Sequence, residues 1–232
     1  QQHTIFLICS NSTKMNCNRI KLNFLAIPIA TITFLLPLNA AADAQSDFFR
    51  AIDKDSLSLA SEAIKNGANA DQPNQQGYTP LMIAAQTDNL RLTSFLLKFN
   101  ANPNLRNKYG ETAIMLASYH GRTDMVKQLY SKGAEIHHAG WNPLIYAATN
   151  GFLDIIRFLL DAKVDINATS PNGTTALMMA VRGNHYAVAE LLLERGANVN
   201  IRNENGEHSL NWAEKAGYFS IVSLLKKHGA TQ

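Results

Sequence analysis

The side chains in this sequence best suited to chemistry are the adjacent histidines His137 and His138, with Glu135 close before them, and the separate histidines His120, His185 and His208. A recurring methionine set, Met82, Met115, Met178 and Met179, could in principle handle copper or heme through its thioethers. A metal site needs three or four converging ligands. Neighbouring histidines in an extended turn diverge, and no third histidine, cysteine or aspartate stands near them, so no metal site is expected. The methionines fit core packing better, because a flexible apolar side chain fills gaps between helices. His120 and His185 sit near turns, where a structural hydrogen bond is the expected role, and His208 stands where a helix cap is needed. No serine lies in a G-x-S-x-G elbow and no glycine-rich phosphate loop precedes a helix. The acidic residues are scattered singly rather than paired for hydrolysis. The expectation is no catalytic residue, no cofactor and no enzymatic activity.

Composition narrows the class. The chain has 232 residues, 46% hydrophobic and 17% charged, which suits a globular protein. Its formal charge is +3. Leaving out Lys14, Arg19, Lys21 and Asp43, all before Gln45, reduces 21 basic and 18 acidic residues to 18 and 17, a net of +1. That near-neutral balance gives no basic footprint for nucleic acid. The two cysteines, Cys9 and Cys17, also precede Gln45, so neither a disulfide scaffold nor a thiol nucleophile is expected in the remainder.

Residues 15–44 carry the parts of a secretory leader: Met15 as a natural start, Arg19 and Lys21, an apolar stretch from Leu22 to Leu38, and small residues at Ala40, Ala41, Ala42 and Ala44. Cleavage after Ala44 is expected, with Ala40 and Ala42 as alternatives. Pro28 and Pro37 with Asn23, Thr31 and Thr33 make the stretch a poor permanent span. No stable membrane insertion is expected once the leader is removed. Residues 1–14 form an upstream segment outside the fold, and residues 45–232 form one domain.

That domain is periodic. Gly67, Asn100, Gly133, Lys163, Gly196 and Gly229 each follow a helix-like apolar segment, at separations of 33, 33, 30, 33 and 33. Ser46, Thr79, Thr112, Asn142, Thr175 and His208 each open a short apolar run at the same separations. Both series share one three-residue shortening near residues 137–141. Runs such as Thr79-Pro80-Leu81-Met82-Ile83-Ala84-Ala85 and Thr175-Ala176-Leu177-Met178-Met179-Ala180 suit a capped helix with proline in its first turn. Leu81, Ile83 and Ala84 should face neighbouring helices, and Leu92, Phe95 and Leu96 should form one face of a second helix. The glycines and Asn100 suit the left-handed residue that ends such a helix; Lys163 breaks that pattern and should be strained or differently closed. The first helix is expected to begin directly at Ser46. Polar residues in 46–74 and Lys226, Lys227 and His228 at the other end read as caps of a complete array.

These runs resemble the T-P-L-H-x-A opening of the ankyrin repeat, and Gly196-Ala197-Asn198-Val199-Asn200 resembles its close. The resemblance covers residues 46–232. It implies an all-α solenoid of about six stacked helix-turn-helix units with extended turns between them, opening near 46, 79, 112, 142, 175 and 208. His185 then occupies the family's frequent Gly-His position. The resemblance also implies recognition of a protein partner through turn tips and the concave face of the first helices. By register the tip residues include Tyr78 and Trp141, with Tyr109 one step displaced. Tyr119 and Arg182 lie near the ends of first helices, with His120 following. Aromatic and arginine side chains are the usual anchors of interfaces. Tyr78, Tyr109, Trp141, Tyr119, His120 and Arg182 are therefore the expected contact residues. The whole looks like small exported bacterial ankyrin-repeat proteins, which implies a periplasmic or secreted binding module, monomeric when free. Some members of that group are associated with protection from oxidative stress. A secreted effector binding a host protein is the other reading.

Overall fold

The computed structural model of the protein describes residues 36–231, with side-chain burial from residue 42 onward. Residues 1–14 and most of the expected leader lie outside the described residues. Among the described residues there are twelve helices and no strand beyond one isolated bridge, Thr169 with Thr175. None of these helices is long and apolar enough to cross a membrane.

The helices come in pairs: α1 (Leu36–Asp53) with α2 (Leu57–Lys65), α3 (Pro80–Thr87) with α4 (Leu90–Lys98), α5 (Ala113–Tyr119) with α6 (Thr123–Ser131), α7 (Pro143–Thr149) with α8 (Leu153–Asp161), α9 (Ala176–Arg182) with α10 (Tyr186–Glu194), and α11 (Ser209–Ala216) with α12 (Phe219–Lys227). From α3 to α11 each first helix packs on the next first helix, and from α4 to α12 each second helix on the next second helix. This is the six-unit all-α solenoid expected from the period.

Each first helix from α3 on opens one residue after its marker. Thr79 Oγ1 accepts from the Met82 amide at 3.3 Å, Asn142 from Ile145 at 3.0 Å and Thr175 from Met178 at 3.2 Å. These bonds satisfy amides that a helix start leaves free. His208 serves the same end in a two-way capping box with Asn211. Thr112 differs, for its buried hydroxyl makes no hydrogen bond within the chain.

The core repeats as strictly as the caps. Ala84, Ala117, Ala147, Ala180 and Ala213 are fully buried along the first helices, where a methyl group is all that close helix approach admits. Leu96, Leu129, Leu159, Leu192 and Leu225 form the matching buried line along the second helices. Met82, Met115, Met178 and Met179 are buried too, in the core role expected of them. Ile83 is less enclosed than expected: it packs against the core but is only half-buried, because an open cavity separates it from α1 residues such as Phe49 and Asp53.

Two further expectations meet the structure. Lys163 adopts φ +65°, in the same left-handed region as Asn100 at +59° and Gly133 at +86°. Its terminus closes like the others, with Lys163 donating to Leu160 O and Val164 to Leu159 O, so the departure is one of backbone strain alone. The first helix does not begin at Ser46. It is already formed at Leu36 and runs unbroken through Ala44, which is buried against the core. Pro37 lies in its first turn, where a missing N–H costs nothing, and the alanines that follow are the strongest helix formers.

Candidate functional site

The turns between units are held by a short local device. Asn107 Oδ1 accepts from the amides of Tyr109 at 2.9 Å and Glu111 at 3.0 Å. Asn74 does the same for Gln76 and Tyr78, and Asn203 for Asn205 and Glu207. Such asparagine turns fix the backbone two and four residues on. They therefore aim Tyr78, Glu111 and Glu207 at the concave face.

On that face the first helices present one column, Ile83, Leu116, Tyr146, Met179 and Trp212, at the repeat spacing. Tyr146 is its centre. Its hydroxyl donates to Glu111 Oε1 at 2.9 Å, and Asn107 Nδ2 donates to Glu111 Oε2 at 2.8 Å. The Trp141 ring lies 5.6 Å from the Tyr146 ring, tilted by 48°, and Tyr119 lies 5.8 Å away edge-on at 87°. His120 packs edge-on against Tyr119 at 5.2 Å. Burial, then the hydrogen bond to Glu111 and its negative charge, push the Tyr146 hydroxyl above the ordinary tyrosine range. Among the described residues no lysine or arginine forms an ion pair with Glu111.

A related arrangement sits at the α11 end. Trp212 Nε1 donates to Glu207 Oε2 at 2.8 Å, and Lys215 Nζ lies 3.9 Å from Glu207 Oε1. Arg182, Glu207, Trp212, Lys215 and Ala216 line an open cavity of about 310 Å³ there.

The structure thus brings Tyr119 and Trp141 together around Tyr146, with His120 packed on the Tyr119 ring. Trp141 and Tyr119 remain 38% and 41% exposed. Tyr78 is half-buried against the core. Tyr109 is not one step from that position but two, in the register of Gln76; it is 65% exposed at a tip, with the Lys108 ammonium 5.1 Å from its ring centre. Arg182 is exposed and belongs to the second cavity. Sequence reasoning missed Tyr146, Trp212, Glu111 and Glu207. The 33-residue register held the clue, since it places both missed aromatics in a column otherwise filled by Ile83, Leu116 and Met179.

The histidines take structural places. His185 Nε2 lies 3.1 Å from Thr149 O, and its ring occupies the space where a Cβ at Gly151 would fall, 2.6 Å from Nδ1. His137 is exposed and His138 buried, so the pair diverges as expected. Arg106 Nη2 donates to His138 Nδ1 at 2.7 Å. A guanidinium has only donors, so Nδ1 must accept and the neutral ring carries its proton on Nε2. Burial, then the Arg106 charge, lower the proton affinity of His138. Its buried Nε2 has no partner. Among the described residues no group of three metal-binding side chains converges.

The three-residue shortening explains this local departure. Elsewhere Asp71, Asn104, Asn167 and Asn200 each accept, through Oδ1, the amide of a residue in the next turn, at 2.8 to 3.1 Å. At the shortened turn His137 stands in that register, and among the described residues no such bond is made to the Asp165 amide. An open cleft of about 510 Å³ lies there, lined by His137, His138, Asn142, Asp165 and Asn167 among others.

Comparison with known proteins matches this geometry. The chain is 41% identical over 56 residues, 23% of its length, to protein phosphatase 1 regulatory subunit 27 of Homo sapiens, of which it covers 36%. It is 34% identical over 77 residues, 31% of its length, to ankyrin repeat and KH domain-containing protein 1 of Homo sapiens, of which it covers 3%. The matched segments therefore span well under two thirds of either relative. A family model described as ankyrin repeats in three copies matches residues 48–140 and again 144–232, meeting at the shortened turn. Two such matches, together spanning most of the chain and coinciding with the stacked helix pairs, show that this protein belongs to the ankyrin-repeat family.

Proposed function

We propose that the protein is a non-catalytic binding module that engages a protein partner through the concave face of its first helices and the adjoining turn tips. The observation that carries this reading is the aromatic cluster on the concave face, in which exposed Trp141 and Tyr119 flank half-buried Tyr146. Large aromatic side chains left accessible on a rigid scaffold are the usual centre of an interface. Ankyrin repeats generally mediate protein–protein interaction, and a relative named as a regulatory subunit accords with binding rather than catalysis. Capture from extracts of the source cells with the full chain, beside a Trp141→Ala, Tyr119→Ala variant of unchanged helicity, tests the reading. A protein retained by the native chain and lost by the variant supports it; equal recovery with both overturns the assignment to this face.

Export belongs to the same proposal. The basic start, apolar stretch and small residues of 15–44 support a cleaved leader and a periplasmic or secreted destination. Cleavage after Ala44 would take the first part of α1 and leave Phe48, Ala51 and Ile52 as its buried face. N-terminal sequencing of the protein from periplasmic and culture fractions should find Gln45 first. Recovery only from the cytoplasm, with the leader intact, would sink this part.

A further inference from the structure

The two glutamates that precede first helices in equivalent register differ in the charge of their partners. Glu207, beside Trp212, has the Lys215 ammonium 3.9 Å from one carboxylate oxygen. Glu111, beside Tyr146, receives hydrogen bonds only from neutral groups, the Tyr146 hydroxyl and the Asn107 amide. It is half-buried, so its charge is less well hydrated than that of a surface carboxylate, yet among the described residues no cation pairs with it. The Tyr146 ring that bonds it is flanked in turn by Trp141 at 5.6 Å and Tyr119 at 5.8 Å. A carboxylate that lacks an ion-pair partner attracts a cation by its charge, and the ring cluster to which Tyr146 joins it adds the attraction of the ring quadrupoles.

We infer that Glu111, Trp141, Tyr146 and Tyr119 form a seat for an arginine side chain of the partner protein. This rests on the reading of the concave face as the binding surface and adds the chemistry of the group it takes. Arginine fits better than lysine for two reasons. Each Glu111 oxygen already accepts one hydrogen bond and keeps a lone pair, which suits the two-pronged guanidinium. A planar guanidinium also stacks on aromatic walls, which a compact, strongly hydrated ammonium does less well.

The test is titration of the full chain with the blocked tripeptide glycine-arginine-glycine, read by NMR at the indole N–H of Trp141, with the Trp212 indole as internal reference. The citrulline tripeptide, the same shape without charge, and the lysine tripeptide serve as comparisons. The expected result is a saturable shift at Trp141 with the arginine peptide and binding about tenfold or more weaker with citrulline. Glu111→Gln should abolish the difference between the two. Tyr146→Phe keeps the carboxylate and the ring, and should retain binding. Equal binding of citrulline, no shift at Trp141 with millimolar arginine peptide, or unchanged arginine preference in Glu111→Gln would each overturn the inference. Absence of arginine preference while Trp141→Ala still abolishes partner capture would overturn it and leave the binding face standing. Arginine binding with partner capture unaffected by Trp141→Ala would do the reverse.

Discussion

Tyr146 and Glu111 join neighbouring units across 35 residues, the phenol donating to the carboxylate at 2.9 Å on the concave face. Tyr146→Phe removes that donor and leaves Glu111 with Asn107 alone. The expected cost is about 1 kcal/mol, reduced from the value for a buried charged hydrogen bond because the pair is only half-buried. A lower urea midpoint with an unchanged slope would show it; no change in midpoint would mean that water replaces the bond at no cost.

Leu96 and Leu192 are fully buried in equivalent places on α4 and α10. Replacing either with alanine should lower stability by about 2–5 kcal/mol, as lost burial and a residual cavity add. Because units contact only their neighbours, the two changes are well separated and should be nearly additive. Calorimetric or urea unfolding of the single and double variants would decide this, and a double variant no worse than either single one would contradict it.

His138 gives a pH dependence of defined sign. Its proton affinity in the fold lies below the ordinary value of 6.5, through burial and then the Arg106 charge. The unfolded chain therefore binds the proton more readily than the native one, and stability contributed by the neutral ring is present above pH 6.5 and falls as pH drops below it. Melting temperatures at pH 7.5 and pH 5 should differ more in the native protein than in His138→Gln, which keeps an acceptor for Arg106 without titrating. Parallel pH profiles for the two would refute this.

Lys163 holds φ +65° where all five other equivalent termini have glycine or asparagine, which adopt the same geometry more readily. Lys163→Gly should therefore stabilise the protein by about 0.5–1 kcal/mol, the relief of a left-handed side-chain clash less the added entropy of unfolded glycine. Thermal unfolding would register the gain. A loss of stability would indicate that the lysine stem contributes packing that outweighs the strain.

The repeat was legible from sequence for a physical reason. Each unit uses the same local solution, a capped helix, a line of small residues, a second apolar face and a left-handed stop, so Thr79, Ala84, Leu96 and Asn100 announce their equivalents at fixed separation. Those features depend on neighbours within one unit and on period alone. The caps at Thr79, Asn142 and Thr175, the buried methionines and the capping role of His208 followed from that pattern.

What the period could not decide is what differs between units. Glu111 and Tyr146 meet only because an asparagine turn aims one residue and helix stacking places the other, 35 residues later, on the face left open. The same stacking sets Trp141 and Tyr119 each against Tyr146, while Tyr109 stays exposed at a tip with Lys108. A three-residue loss looks minor in sequence, yet it removes an inter-turn tie, opens a cleft and buries His138 under Arg106. The sequence by itself determined the solenoid, because that follows from local, repeated chemistry. Only the tertiary structure decided which side chains meet on the concave face, because that depends on which non-repeating residues are brought within reach of one another across units.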